Sequence, residues 1–216
     1  MLNTDREQAA LAEVHRTVLD SNGFEIDADE YAALDRQMIL TFVPSPMHAI
    51  TWHFAKPDVD LFDAMTREIR SHYPAIRKHT SSLYPGADTL LADLCQSHIL
   101  GLAANAPSSI RDKLSQLGVL KYFTHTKVSG DLGVKKPDIQ FFERILAEID
   151  IEPDKVVLVG DRLDNDMIPA KRIGMGTIWI RRGRYEVLEP RVPDEIPDAV
   201  VGQLVDVETA LYAFED

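Results

Sequence analysis

The sequence predicts an α/β protein in which a parallel sheet lies between helices, behind an N-terminal region that is all helix. Three observations predict it. Residues 1–80 carry only helix-period patterning. After them, the apolar runs Ile99-Leu100-Gly101-Leu102-Ala103-Ala104, Val156-Val157-Leu158-Val159 and Thr177-Ile178-Trp179-Ile180 alternate with amphipathic segments. These runs are apolar without a polar face, as strands covered on both sides are. The change of texture falls near Thr80 to Pro85, dividing the chain into domains at 1–80 and 81–216.

In the first region, Thr4-Asp5-Arg6-Glu7 reads as a capping box opening a helix with Leu11, Val14 and Val18 on one face. Asn22-Gly23 ends it. A second helix follows Asp27, with Tyr31, Leu34, Met38 and Phe42 aligned, and Pro44 and Pro46 stop it. Ser45-Pro46 opens a third helix to about Ala55, and Pro57-Asp58 precedes a fourth carrying Leu61, Met65 and Ile69. In the second region, helices are predicted at 86–96, 107–117 and 138–149, each leading toward a strand, with a weaker strand at 123–128. A short helix from Asp166 ends at Gly174, and a last one carries Val207, Ala210, Leu211 and Phe214.

A formal net charge of −12 disfavours an extended nucleic-acid partner, which needs a basic stripe. A small anion is still allowed, because one lysine and a bound cation reverse the sign locally. Cys95 is the single cysteine, which fits a reducing compartment. No run approaches the ~18 apolar residues of a membrane span. The expected location is therefore cytoplasmic.

Ligands of open parallel sheets sit beyond the carboxyl ends of the strands. There, Gly160-Asp161-Arg162-Leu163-Asp164-Asn165-Asp166 puts one carboxylate at a strand tip and another at the mouth of the next helix. Such hard oxygens suit Mg²⁺, which keeps waters and takes substrate phosphate. The same residues also read as a strand end and a helix cap. Lys136 stands ahead of Pro137, itself suited to a first helical turn, and reads either as a phosphate-neutralising cation or as a solvated lysine.

Together, Gly133-Val134-Lys135-Lys136-Pro137-Asp138 and Val157-Leu158-Val159-Gly160-Asp161 through Asp166 and Gly174 resemble the haloacid dehalogenase-like superfamily of hydrolases. Tyr84-Pro85-Gly86, ahead of the 99–104 run, looks like the lead-in to that family's second motif. The resemblance covers roughly residues 80 to 185 and implies a Rossmann-like core with a helical cap at 1–80. It implies Lys136, the third-motif lysine, and Asn105 as catalytic residues, Asp161 as a direct Mg²⁺ ligand and Asp166 as support for the metal's waters. The acidic pair looks like the metal-dependent phosphatase branch, acting on a small phosphorylated metabolite, and less like the dehalogenases. In the second motif the family usually has Ser or Thr followed by Asn; here Ala104-Asn105 would hold the phosphate with Lys136.

The family's nucleophile is the first Asp of an Asp-x-Asp motif closing an apolar strand near the N-terminus. The sequence shows no such strand, and the expectation is a truncated chain with little or no turnover. Asp58-Val59-Asp60 has the spacing but follows Ala55-Lys56-Pro57, and reads more simply as a helix cap. Asp20 has no partner. The missing strand would lie between 99–104 and 156–159, so those two either pair directly or keep open inner edges. A non-catalytic binding or regulatory protein is the alternative, favoured by Ala104. No P-loop or dinucleotide fingerprint is present. His48 and His53 read as satisfied or solvated, Arg181, Arg182 and Arg184 as a solvated loop, and Phe42, Trp52, His53 and Phe54 as cap core or pocket lining.

Overall fold

The computed structural model describes residues 2–80 and 82–214. Two compact units divide the chain, Leu2–Ser82 and the residues from Leu83 on. After the short extended piece β1 (Leu2–Asn3), the first unit holds α1 (Asp5–Ser21), α2 (Ala28–Leu40), α3 (Pro46–Ala55), α4 (Val59–Ser71) and α5 (Tyr73–Thr80). Its core joins Val18 and Leu19 of α1, Tyr31 of α2, Ile50 and Ala55 of α3, and Met65 and Ile69 of α4. With Val14, Leu34, Met38, Met47, Phe54 and Leu61 packed against them, apolar residues recur three or four apart along each helix, which gives each one apolar stripe to bury.

Local chemistry sets the boundaries. Asp27 and Glu30 form the capping box of α2, with Asp27 Oδ1 accepting from the Asp29 and Glu30 amides at 2.8 Å. Thr4 makes no side-chain cap, and Glu7 instead accepts from Arg77 at 3.0 Å; the capping box expected at α1 is absent. Ser45 caps α3 with Pro46 at its start. Asp58 caps α4 by accepting from the Leu61 amide at 2.9 Å. Phe42 lies beyond the end of α2 at φ 56°, off the stripe expected for it. Phe54 packs in the core, while Trp52 and His53 are exposed. Helix α5 was not foreseen.

Buried at the centre of this unit is a polar triad. Thr51 Oγ1 donates to the Met47 carbonyl at 2.8 Å, so it can only accept from His15 Nε2 at 3.0 Å. That leaves His15 Nδ1 to accept from the Tyr31 hydroxyl at 2.7 Å. Fully enclosed, the imidazole has its pKa lowered to about 4, first by desolvation and then by neighbouring His48.

The second unit runs β2 (Ser82–Leu83, at the boundary), α6 (Ala87–Leu94), β3 (Gly101–Ala104), α7 (Ile110–Gln116), β4 (His125–Val128), α8 (Ser129–Leu132), α9 (Gln140–Ile149), β5 (Val157–Gly160), α10 (Ile168–Arg172), β6 (Gly176–Ile180), β7 (Ala199–Val201) and α11 (Asp206–Leu211). All core ladders are parallel. Successive residues of β5 serve opposite faces: Leu158 packs toward Phe141, Phe142 and Leu146 of α9, and Val157 toward Leu94 of α6 and Val207 of α11. The α/β class read from the unbroken apolar runs is the observed one.

The core strands form two sheets, β3–β4 and β5–β6–β7. Among the described residues β3 and β5 each lack a ladder partner on the other edge, and Val159 is 37% exposed where a central strand would be covered. Of the two outcomes expected for these strands, open inner edges is the one found. β3 starts at Gly101, and Ile99, expected within it, is exposed. The edge strand β7 went unforeseen, as its three residues are too few to make a pattern.

Candidate functional site

Four sequence-predicted residues meet beyond the carboxyl ends of β3 and β5. Gly160 ends β5 and Asp161 follows it. The chain then enters a single π-helical turn, Leu163–Met167, before α10, so Asp166 lies within a wide turn and is no helix cap. This turn swings the Asp166 carboxylate back onto β5. Oδ2 accepts from the amides of Asp161 (3.2 Å) and Arg162 (3.0 Å), and Oδ1 from Lys136 Nζ (2.5 Å). A Cβ on residue 160 would stand 2.7 Å from Asp166 Cβ and Cγ, so only glycine there allows this approach.

Lys136 and Asp166 are 13% and 4% exposed at their side chains. Pro137 does not begin α9, which starts three residues later; Lys136 lies ahead of a turn closed by the Asp138 amide on the Lys135 carbonyl (3.0 Å). Its backbone is held from β3. Asn105 Nδ2 donates to the Lys136 carbonyl and Asn105 Oδ1 accepts from the Lys136 amide, both at 2.9 Å. The side-chain amide expected at the phosphate is therefore engaged with the lysine loop. Ala104 ends β3 opposite Val128.

Asp161 is fixed through its backbone, with its amide on Asp166 and its carbonyl accepting from Trp179 Nε1 at 3.0 Å. Its side chain stays open to solvent. Surrounding protein, and then the adjacent Asp166 charge, push its carboxyl pKa up. A carboxylate strained by a like charge, with an open solvent side, fits a cation that takes one or two carboxylates and completes its shell with water. No cluster of three or more metal-ligating side chains occurs among the described residues, so an all-protein cage is not what this site offers.

Sequence reasoning did not find the Asn105–Lys136 clasp or the Trp179 bond to Asp161. Both join residues far apart in the chain and have no local signature. Arg162 forks onto Asp164 at 2.9 and 2.6 Å and stacks on Tyr185 at 4.8 Å. The expected solvated loop at 181–184 thus adjoins a stacked, paired arginine.

The sequence profile of the haloacid dehalogenase-like hydrolases matches residues 13–180, and the chain belongs to that family. It is 39% identical over 99 residues to a glyceraldehyde 3-phosphate phosphatase of Methanopyrus kandleri (44% of this chain, 42% of the relative). It is 33% identical over 150 residues to a phosphoserine phosphatase of Thermus thermophilus (68% of this chain, 55% of the relative). The chain thus spans about half the length of these relatives. In fold it is similar to a HAD phosphatase from Thermococcus onnurineus (TM-score 0.64, 24% identity, 98% of this chain and 93% of the other). A haloacid dehalogenase-like hydrolase from Streptococcus pneumoniae gives a TM-score of 0.70 at 16% identity, over 98% and 93% of the two chains. No helix among the described residues is long and apolar enough to cross a membrane.

Proposed function

We propose that this chain carries the metal- and phosphate-holding half of a Mg²⁺-dependent phosphomonoester phosphatase acting on a small phosphorylated metabolite. The Lys136–Asp166–Asp161 arrangement carries this reading, and the phosphatase names of the two relatives support it. Asp161 would hold the cation directly and Asp166 would orient its waters. When bound, Mg²⁺ supplies positive charge to the phosphoryl oxygens.

Lys136 has two tasks in this scheme. It offsets the Asp166 charge, and its remaining N–H groups face an incoming phosphate oxygen. Asn105 keeps its loop in register, so the ammonium is in place before ligand arrives. Ala104 offers no hydroxyl, so phosphate holding rests on the lysine and on backbone amides of that strand tip. A single missing donor of this kind costs on the order of 10²–10³ in rate.

Among the described residues no aspartate stands ready as nucleophile. Asp58 is occupied as the cap of α4, in the helical unit. We therefore expect little or no turnover from the 216 residues alone, and turnover on adding a segment that brings Asp-x-Asp beside the open edge of β5. The test is phosphate release from simple phosphomonoesters in Mg²⁺, by the chain with and without that segment. A folded, extended protein that releases none would overturn the proposal, as would equal release by a Lys136→Ala variant.

A further inference from the structure

Three arginines lie within two residues of the carboxyl ends of β5 and β6, on the edge that carries Asp161 and Lys136. Two are neutralised in place. Arg162 forks onto Asp164. Arg181 pairs with Glu189 and donates to the Glu186 carbonyl at 2.9 Å. Arg182 differs from both. Its guanidinium lies 4.5 Å from the Tyr84 ring centroid, and among the described residues no carboxylate pairs with it.

The loop holding Arg182 is closely packed. Its amide donates to the Ile180 carbonyl at 2.9 Å, and the Glu186 amide to the Gly183 carbonyl at 3.1 Å. Gly183, at φ 73°, passes so near Tyr84 that a Cβ would stand 3.1 Å from the hydroxyl. Tyr185, two residues on, is pinned by the Arg162 stack. An arginine stacked by its face on an aromatic ring keeps its N–H edge free, and that planar fork matches a carboxylate.

Register gives the distance to the phosphate site. Trp179 partners Gly160, so Ile180 lies beside Asp161, and Arg182 follows two residues later. Strand spacing and rise then put the two backbones within about 8 Å, a separation that a small ligand spans. The charge balance of this edge gives the ligand's polarity. Lys136 is offset by Asp166, Arg162 by Asp164 and Arg181 by Glu189, whereas Asp161 and Arg182 have no ion-pair partner among the described residues. In a chain of net charge −12, a cation held without an anion at the ligand edge is out of pattern.

We propose that Arg182, seated on Tyr84, is a second anion subsite that takes the carboxylate of the substrate. The substrate class is thereby a phosphomonoester that also bears a carboxylate. This rests on the phosphomonoester reading above and narrows it.

The test is calorimetry on the 216-residue protein in saturating Mg²⁺, titrated with phosphoglycolate and with ethyl phosphate, which lacks the carboxylate. Wild type should bind phosphoglycolate about 10- to 100-fold more tightly, the range of one charge-assisted pair. Arg182→Gln should bring the two esters to parity while leaving ethyl phosphate unchanged. Arg182→Lys, which keeps the charge without the fork, should retain part of the preference and carries the test if the glutamine variant is misfolded. Parity in wild type, a preference that survives Arg182→Gln, or an equal loss for both esters would each overturn the subsite and leave the phosphatase reading standing. Folded wild-type protein that binds neither ester would overturn that reading and the subsite with it.

Discussion

Replacing Lys136 by methionine keeps the length of the stem and removes the charge, leaving the Asp166 carboxylate, 4% exposed, without its cation. Breaking a buried ion pair at one end costs ~3–5 kcal/mol, because the remaining charge is desolvated and uncompensated. Two amide donors, from Asp161 and Arg162, stay on Oδ2, which argues for the lower end, about 3 kcal/mol. Asp166→Asn in the same background removes the stranded charge and should recover about 1–2 kcal/mol of that loss, a coupling well outside the ~0.5 kcal/mol scatter of independent sites. The reporter is built into the chain. One of its two tryptophans lies in each unit, so Trp52→Phe leaves Trp179, buried with its indole N–H on the Asp161 carbonyl, to report on the core alone. Following one unit matters because two units need not unfold together. The assay is urea unfolding of the four members of the cycle by Trp179 fluorescence. A cost below about 1 kcal/mol for Lys136→Met, with additive substitutions, would mean that the pair is screened as a surface pair is and does not hold the core together.

Four further outcomes are expected. Mg²⁺ should raise the unfolding midpoint of wild type, by the equivalent of about 2.7 kcal/mol at 100 times its Kd, and should leave Asp161→Asn unmoved; an equal rise in both would place the metal elsewhere. Asn105→Ala removes both clasps on the Lys136 backbone, each worth roughly 1 kcal/mol, and should weaken phosphate binding as well as stability; unchanged phosphate affinity by calorimetry would mean that the clasp does not position the lysine. Gly160→Ala should cost about 1–3 kcal/mol by displacing Asp166, and a crystal structure with the 2.5 Å Lys136–Asp166 bond intact would contradict it. His15 has a folded pKa (about 4) below its unfolded value of 6.5, so the unfolded chain takes up the extra proton. Its contribution is whole above about pH 6.5 and falls away toward pH 4, by about 3 kcal/mol in total; urea midpoints followed by far-UV circular dichroism should show that slope in wild type and lose it in His15→Gln, and parallel slopes would contradict it.

The fold class was legible because the pattern of burial is written in the chain. Val157 and Leu158 are adjacent and both apolar since each faces its own helical layer, α6 and α11 on one side and α9 on the other. The positions of the residues proposed for the site were legible for a similar reason. Topology obliges ligand groups to follow strand ends, so Asp161 after β5 and Asn105 after β3 could be found by locating the strands. Local capping was less reliable. Thr4 had the right neighbours and makes no cap, because Glu7 is drawn to Arg77, 70 residues away, whereas Asp27 and Glu30 face no such competitor.

What the sequence determined by itself was the layered class, the family and the identity of the residues on the ligand edge. How those residues are joined was left to the packing of the folded chain. Lys136 closes on Asp166 across 30 positions, Asn105 holds the lysine loop across 31, and Trp179 reaches back 18 to the Asp161 carbonyl. Burial periodicity is a property of neighbours along the chain and survives in the linear sequence. A hydrogen bond between distant residues depends on how the strands and turns between them are placed, and one sequence carries no record of that placement.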